Sequence, residues 1–259
     1  MGERTKHAPG TFSWADVTTT DQDAAKRFYT GLFGWDADDR PVGDGIYYSM
    51  MELGGRDVAA ISPQQPQQRE AGVPSMWNNY VTVESADAAA DRANELGATV
   101  HAPPFDVMEV GRMAVIQDPQ GAFFMVWEAR TNIGAQLVNA PGALAWNELA
   151  SPDPGVSADF YGSLFGWTFN EMENSPTPYL IITNGERANG GIRELGDEPV
   201  PPHWMPYFGI DDIDSGLART KELGGTVLSG PVDIGIAKIG VIRDPQGAVL
   251  AIYDGQFED

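Results

Sequence analysis

The pattern of hydrophobic and polar positions runs through the same order of elements twice along the chain. Alternation over 11–18 predicts a strand, and apolar residues at helical spacing then predict a helix that begins at Asp21 and ends at Gly34. The dipeptide Gly54-Gly55 is typical of a two-residue hairpin turn between strands. The other elements predicted for this first copy are strands at 46–53, 56–61, 77–84, 99–101, 113–118 and 122–128 and a helix at 87–96.

Polar segments separate these elements into units. A Pro- and Gln-rich segment at 62–75 has no periodicity and predicts a surface loop between two strand–helix–strand units. A polar, Gly-containing segment at 130–141 is interpreted as a linker, after which the order of elements repeats. The elements predicted for the second copy are strands at 144–150, 179–184, 188–192 and 204–211, a hairpin at 240–253, and helices at 156–165 and 213–223.

Two motifs indicate that the second copy is a duplicate of the first. The sequence Phe-Tyr-x-x-Leu-Phe-Gly-Trp occupies 28–35 and returns at 160–167. The sequence Asp-Pro-Gln-Gly-Ala occupies 118–122 and returns unchanged at 244–248. Because both motifs keep their order, the two copies are expected to share one fold.

The duplication predicts two domains, the first at 10–130 and the second at 142–255. Each is large enough to bury a core of its own, and 42% of the chain's residues are hydrophobic, as in a folded globular protein. No stretch is long and apolar enough for a membrane span, and no apolar signal segment occurs near Met1. We therefore expect a cytoplasmic protein, either monomeric or a homodimer, that does not bind membranes.

Charge and cysteine content exclude several classes of function. The chain has 16 Lys and Arg against 37 Asp and Glu, for a formal net charge of -21. This charge opposes a phosphate backbone, so nucleic acid is not an expected partner. With no cysteine, the chain has neither disulfides nor thiol nucleophiles nor Cys-based metal sites.

The two motifs resemble the vicinal oxygen chelate superfamily, which includes glyoxalase I, extradiol dioxygenases, fosfomycin-resistance enzymes and bleomycin-binding proteins. The resemblance covers nearly the whole chain and is greatest to two-domain glyoxalase-like proteins of actinobacteria and to accessory or resistance proteins of aromatic polyketide pathways. It implies an α+β fold of four βαβββ modules that form curved mixed sheets around cavities. The motif residues themselves are interpreted as core and turn, so they report the fold and leave the activity open.

Metal-dependent members of this superfamily bind one divalent ion through His, Glu or Gln on the first and last strands of paired modules. The resemblance places Trp14 and Trp146 at the first-strand ligand positions, and Met125 and Ala251 at the last-strand positions. Such side chains do not bind a hard or borderline divalent ion. The remaining ligand positions fall on Asn78, Met205, Ala60 or Ile61, and Gly191 or Ile192.

The other candidate metal ligands are three isolated histidines, which we interpret as ordinary polar residues: His7, His101 and His203. The sequence also has no Gly-x-Gly-x-x-Gly dinucleotide fingerprint and no set of two histidines with one carboxylate. We therefore expect neither a metal ion nor a cofactor.

If the first-strand positions face a cavity, the alternation of a strand brings a carboxylate beside each tryptophan. The pairs are Trp14 with Asp16, and Trp146 with Glu148. A buried carboxylate among aromatic rings has a raised pKa and could act as a catalytic acid or base. The alternative is that the tryptophans fill the former metal site and leave a closed core.

Further candidates for the cavity come from the last strands and from the alignment of the two copies. Alternation sends Met125 and Trp127 inward in the first copy, and Ala251 and Tyr253 inward in the second. The candidate ligand-binding set is Trp14, Trp146, Met125, Trp127, Asn78, Met205, Tyr253, Arg112 and Lys238. Arg112 and Lys238 correspond between the copies and either meet a substrate anion or one of the acids, or form surface ion pairs.

Three functions remain open. The first is a metal-independent protein that binds a small hydrophobic or aromatic molecule, for sequestration, for resistance or as an accessory in natural-product metabolism. The second is a metal-independent isomerase, lyase or hydratase in which Asp16 or Glu148 moves a proton. The third is glyoxalase I proper, which the missing metal ligands disfavour.

Overall fold

The computed structural model describes residues 2–43, 45–172 and 177–257. They form an α+β fold, and within each copy a helix separates the first strand from the strands that follow. The elements of the first copy are β1 Gly2–Glu3, β2 Phe12–Thr19, α1 Gln22–Phe33, β3 Asp36–Gly43, β4 Ile46–Glu52, β5 Asp57–Pro63, α2 Pro66–Glu70, β6 Met76–Thr82, α3 Ala86–Glu95, β7 Thr99–Val107, β8 Gly111–Gln117 and β9 Phe123–Ala129.

From β2 onward, and apart from α2, the second copy repeats this order after a short strand in the linker. Its elements are β10 Leu137–Val138, β11 Leu144–Ser151, α4 Pro154–Phe165, β12 Thr168–Glu171, β13 Tyr179–Asn184, β14 Arg187–Glu194, β15 His203–Gly209, α5 Ile213–Glu222, β16 Thr226–Asp233, β17 Ala237–Arg243 and β18 Val249–Gly255. No helix of the described chain is long and apolar enough to cross a membrane.

Each copy builds one curved, mixed sheet of eight strands. The strand order is β3-β4-β5-β2-β6-β9-β8-β7 in the first sheet and β12-β13-β14-β11-β15-β18-β17-β16 in the second. The small strands β1 and β10 pair with each other and extend the second sheet through β11. Two modules join at the centre of each sheet, through the antiparallel pairs β2–β6 and β11–β15.

Helix ends and the central hairpin turn confirm the local sequence signals. The Asp21 side chain accepts a hydrogen bond from the Ala24 amide at the start of α1, and Gly34 ends that helix with a φ of 72°. Only glycine adopts such a left-handed conformation at little cost. Gly54 and Gly55 have φ values of 59° and 74°, the backbone that a two-residue type I′ hairpin turn requires.

The sequence pattern did not predict several of the outer strands. The structure adds β3, β12 and β16 and the short helix α2, and it extends β7 well past the predicted 99–101. All eight residues of β3 are exposed, as are most of β16. A strand that is exposed on both faces has no alternation of hydrophobic and polar residues, so its sequence carries no strand signal.

The hydrophobic cores lie between the helices and the sheets, and both are shared by the two copies. One core packs α1 and its motif residues against Phe208, Ile242 and Ile252 of the second copy. The other packs α3 of the first copy against Tyr161 and Trp167 of the second. The helices therefore occupy one face of each sheet, and the opposite face, here called the inner face, is left for other contacts.

Candidate functional site

The inner face of the first sheet is lined by aromatic side chains and methionines around one acid. Trp14 and Asp16 on β2 point to this face, and cross-strand pairing aligns Trp14 with Tyr80 and Tyr80 with Met125. Trp127, two residues along β9, lies on the same face. Alternation along the strands thus brings the predicted residues together, because each occupies an inward position.

Asp16 is the centre of a hydrogen-bond network on this inner face. Tyr48 and Tyr80 donate to its Oδ2 from 2.8 and 2.9 Å, and Asn78 Nδ2 donates to its Oδ1 from 2.7 Å. The Trp14 indole Nε1 in turn donates to the Tyr48 hydroxyl from 2.9 Å. Because Trp14 occupies an acceptor site of that hydroxyl, the tyrosine proton is directed toward Asp16.

Burial governs the protonation of this network. Desolvation raises the pKa of Asp16, although the hydrogen bonds from Asn78, Tyr48 and Tyr80 work against it. Desolvation and the neighbouring Asp16 charge raise the pKa of both Tyr48 and Tyr80 well above the ordinary value. Both phenols are therefore neutral hydrogen-bond donors near neutral pH, and burial works against the charged form of the aspartate.

The second sheet builds the same arrangement from equivalent residues. Trp146 Nε1 donates to the Tyr179 hydroxyl from 2.9 Å, as Trp14 does to Tyr48. Tyr179 and Tyr207 hydrogen-bond the buried Glu148. Desolvation, followed by the Glu148 charge, raises the pKa of both tyrosines well above the ordinary value. A Trp–Tyr–carboxylate chain thus occurs once in each copy.

The second inner face also carries a guanidinium group. Arg193 Nε donates to Glu148 Oε1 from 3.0 Å, and its Nη1 and Nη2 donate to Glu198 from 2.7 and 3.2 Å. Burial works against the charged form of Arg193, but the hydrogen bonds and charges of Glu198 and Glu148 outweigh it and raise the pKa of the guanidinium. In the first copy the equivalent strand position is occupied by Ser62.

The linker covers the inner face of the first copy. Ala135 and Val138 are buried in the same cluster as Trp14 and Trp127. The Trp127 indole Nε1 donates to the Asn132 carbonyl from 2.9 Å, which ties the ring to the linker. Trp14 is 5% exposed and Trp127 is 7% exposed. This face is therefore a packed interior, as the closed-core alternative expected.

The inner face of the second copy is more open. Trp146, Tyr179 and Tyr253 are all partly exposed, and Ala251 takes the place that Met125 fills in the first copy. Met205 and Tyr207 form the buried floor of this face. A ligand on the second inner face would therefore lie against these partly exposed rings. Two shallow clefts, of about 370 and 170 Å³, lie away from both inner faces, beside Gln246 and Gly142.

Arg112 and Lys238 do not belong to the inner faces, which corrects their place in the candidate ligand-binding set. Cross-strand pairing aligns Arg112 with Glu128 and Lys238 with Asp254, one position out of phase with Trp127 and Tyr253. Arg112 instead forms ion pairs with Asp87 and Asp106 at 2.7 and 3.0 Å, which raise its pKa. Lys238 is exposed. Their correspondence between the copies reflects equivalent positions on the outward-facing side of the sheet.

The structure also shows residues that the sequence patterns did not bring to the site. Tyr48, Tyr80, Tyr179 and Tyr207 come from other strands than the paired acid, and Arg193 comes from β14. The positions of the four tyrosines correspond between the copies. Comparing tyrosines between the copies would have singled them out, because each pair occupies matching strand positions.

The donors at the family's ligand positions do not fit a divalent metal ion. The inward positions carry indole, thioether, methyl and amide groups, and the oxygens of Asp16 already accept three hydrogen bonds. Among the described residues, no group of three or more His, Cys, Asp or Glu side chains is arranged to hold a metal. His7 contacts the Ala135 carbonyl, and the other two histidines contact Gln117 and the Pro201 carbonyl.

Comparison with known proteins covers nearly the whole chain. A sequence profile of the Glyoxalase/Bleomycin resistance protein/Dioxygenase superfamily matches residues 11–126 and 143–252. The putative glyoxylase CFP32 of Mycobacterium tuberculosis is 42% identical over 255 residues, which cover 97% of each protein. The anthracycline biosynthesis protein DauV of Streptomyces sp. strain C5 is 34% identical over 263 residues, which cover 96% of this chain and 95% of DauV.

Solved structures share the fold at low sequence identity. The Mn(II)-bound glyoxalase from Novosphingobium aromaticivorans aligns with a TM-score of 0.65 and 16% identity, over 98% of this chain and 83% of that one. The 2,3-dioxygenase LapB from Pseudomonas sp. KL28 aligns with a TM-score of 0.65 and 13% identity, over 97% of this chain and 95% of LapB. At these identities the similarity concerns the fold alone.

Proposed function

The chain belongs to the glyoxalase/bleomycin resistance protein/dioxygenase superfamily, and we propose that it binds a flat, largely apolar aromatic molecule without a metal ion. The binding surface is the inner face of the second copy. Sequestration of the molecule, resistance to it, or its presentation to another enzyme are the roles that fit such a protein. Planar polycyclic natural products are the class of ligand that this surface suits best.

One observation carries this proposal: the second inner face has aromatic rings that are partly exposed, whereas the first is covered. Trp146 and Tyr179 are partly exposed beside the single buried acid Glu148, and Tyr253 is a third partly exposed ring farther along the same face. Large rings of this kind supply apolar contact area for a flat ligand. Linker residues bury the equivalent rings of the first copy.

The relatives support the same class of ligand. DauV and the Streptomyces peucetius protein DnrV are named anthracycline biosynthesis proteins, and DnrV is 33% identical over 263 residues, which cover 96% of this chain and 95% of DnrV. Anthracyclines are planar, aromatic molecules. An inner face lined by aromatic rings, with no metal-ligand set, is the kind of surface on which such a molecule stacks.

Tryptophan fluorescence offers a direct test, because Trp146 lies at the proposed contact. Titration with an anthraquinone or an anthracycline should quench the emission in a saturable way. The Trp146→Phe variant should lose most of the quenching and bind the probe more weakly. Emission that stays unchanged up to the solubility limit of such probes would contradict the proposal.

A metal-independent enzyme is the second candidate, and the environment of Asp16 favours it. Burial raises the pKa of this acid and so favours its protonated form, and Glu148 occupies the equivalent place in the open copy. The reaction would be an isomerisation, elimination or hydration. In that case Glu148→Gln would abolish turnover while keeping binding, and the activity would follow a sigmoidal or bell-shaped pH profile.

Glyoxalase I chemistry is a weaker candidate. The name of the mycobacterial relative, a putative glyoxylase, is in its favour. The donor groups at the ligand positions are against it, since Trp14, Trp146 and Ala251 offer no oxygen or imidazole to a metal ion. Lactoylglutathione-type isomerase activity that required an added divalent ion would revive this candidate.

A further inference from the structure

The two inner faces differ most in their charged groups. The first copy has the single acid Asp16 at the centre of its network, with neutral donors around it. The second copy has Glu148, Arg193 and Glu198, which are connected by ion pairs of 3.0 and 2.7 Å. The strand position of Arg193 is Ser62 in the first copy, so this charged trio is particular to the open face.

The trio carries an excess of one negative charge. Two carboxylates share one guanidinium, and Arg193 makes four hydrogen bonds to Glu148, Glu198 and the Glu194 carbonyl. An anionic ligand would have to displace one of these carboxylates from the guanidinium. A cation would instead neutralise the charge that Arg193 leaves uncompensated.

The surroundings of the trio favour a cation as well. The faces of aromatic rings attract cations, and the Trp146 side chain stands two residues from Glu148 on the same strand face. Tyr179 and Tyr207 both contact the same acid. The chain as a whole has a net charge of -21, which raises the concentration of cations near its surface.

We propose that the second inner face selects an aromatic ligand that carries a protonated amine, which Glu148 and Glu198 recognise while Arg193 fixes their positions. This inference rests on the proposed binding function and narrows its ligand class. Glu198, on the segment between β14 and β15, is the residue that determines this selectivity. Its side chain is half exposed, so it is accessible to a ligand that stacks on the rings.

A matched pair of probes separates charge from shape. The cation is 2-(aminomethyl)anthraquinone, and its N-acetyl derivative has the same ring system without the charge. Binding of each is measured by tryptophan fluorescence and by calorimetry at pH 7. We expect the amine to bind about tenfold more tightly than the amide, the scale of one charge-assisted contact at a half-exposed site.

Glu198→Gln removes the excess charge at an exposed position and should fold normally. We expect it to weaken binding of the amine until the two probes bind alike, with binding of the amide unchanged. Glu148→Gln is a second variant with the same expected direction. Glu222→Gln is the matched control, because it breaks a 3.0 Å surface ion pair with Arg219 on helix α5, away from the inner face.

The outcomes distinguish the two proposals. Equal binding of both probes by the wild-type protein would overturn the amine inference and leave aromatic binding intact. A preference for the amine that survives in Glu198→Gln and Glu148→Gln would also overturn it, since the selectivity would come from elsewhere. Failure of both probes to bind would contradict the proposed function and this inference with it.

Discussion

The Tyr29 hydroxyl donates a hydrogen bond of 2.9 Å to Oδ2 of Asp244, a residue of the other copy. The symmetric bond joins Tyr161 to Asp118 at 2.8 Å. Each bond links the Phe-Tyr motif of one copy to the Asp-Pro-Gln-Gly motif of the other. The two repeated motifs therefore contact each other across the domain interface and hold the copies together through a shared core.

Removing one of these bonds should destabilise the whole chain. Tyr29 also accepts a hydrogen bond of 3.1 Å from the Trp77 indole, so Tyr29→Phe leaves a buried donor without its partner and Asp244 with one donor fewer. We expect the free energy of unfolding to fall by about 1–3 kcal/mol. Urea unfolding followed by circular dichroism measures this change.

Two further variants, one at the symmetric tyrosine and one at an exposed tyrosine, serve as comparisons. Tyr161→Phe should lower the free energy of unfolding by a similar amount, because the Tyr161 hydroxyl accepts a hydrogen bond from Trp204 at 2.8 Å and donates one to Asp118. Tyr47→Phe, at a residue that is 45% exposed, should change the stability by less than about 0.5 kcal/mol. Equal stabilities of all four proteins would show that the interdomain bonds contribute nothing net.

The raised pKa of Asp16 makes its contribution to stability depend on pH. Burial raises the folded-state pKa above the unfolded value of about 3.9, so the folded protein keeps a proton that the unfolded chain has released. The favourable contribution is fully present below the unfolded pKa and is lost as the pH rises through the folded pKa. Asp16→Asn does not titrate and lacks this dependence.

The measurement is the difference in unfolding free energy between wild type and Asp16→Asn at several pH values. We expect the wild type to lose stability relative to the variant as the pH rises from about 4, until the folded-state pKa is passed. The part of the difference that is the same at every pH reflects the different hydrogen bonds of the two proteins. If the whole difference were the same at every pH, the raised pKa of Asp16 would be contradicted.

The two tryptophans at equivalent positions should respond differently to a ligand. Trp146 is partly exposed and Trp14 is covered by the linker. Trp146→Phe should weaken binding of an anthraquinone probe by about tenfold, the loss of one well-packed aromatic contact. Trp14→Phe should weaken it by less than about threefold. Calorimetry measures both, and a larger loss in Trp14→Phe would move the site to the first copy.

Metal content is a further check on the donor chemistry. We expect elemental analysis of the purified protein to find far less than one divalent ion per domain. Added Mn²⁺, Ni²⁺ or Zn²⁺ should leave the thermal midpoint unchanged, because a specifically bound ion would raise it by mass action. About one tightly held ion per domain would show that ligands other than the family positions bind metal.

The sequence predicted the central strands, the helices and the inward residues because each carries a local signal. Trp14 and Asp16 share a face through simple alternation, and Gly34 marks a helix end through its conformation. Because the chain is duplicated, each of these signals occurs again at the equivalent position of the other copy. A strand with no buried face, such as β3, has no alternation of hydrophobic and polar residues and was therefore not predicted.

Contacts between strands could not be predicted from the sequence. Tyr48 and Asp16 are hydrogen-bonded although they lie 32 residues apart in the sequence, and Arg193 and Glu148 are hydrogen-bonded across 45 residues. Such contacts depend on the register of strands β4 and β14, which the local pattern does not specify. Arg112 and Lys238 correspond between the copies but lie one position out of phase with Trp127 and Tyr253, and Arg112 forms surface ion pairs, one of the two roles that the sequence left open for it.

The most direct measurement of aromatic binding is a crystal structure of the wild-type protein grown with saturating 2-(aminomethyl)anthraquinone. We expect electron density for the ring system against Trp146 and Tyr253, on the inner face of the second copy and not of the first. An empty second face at saturating probe, or a probe bound elsewhere, would contradict the proposal that this face is the binding site.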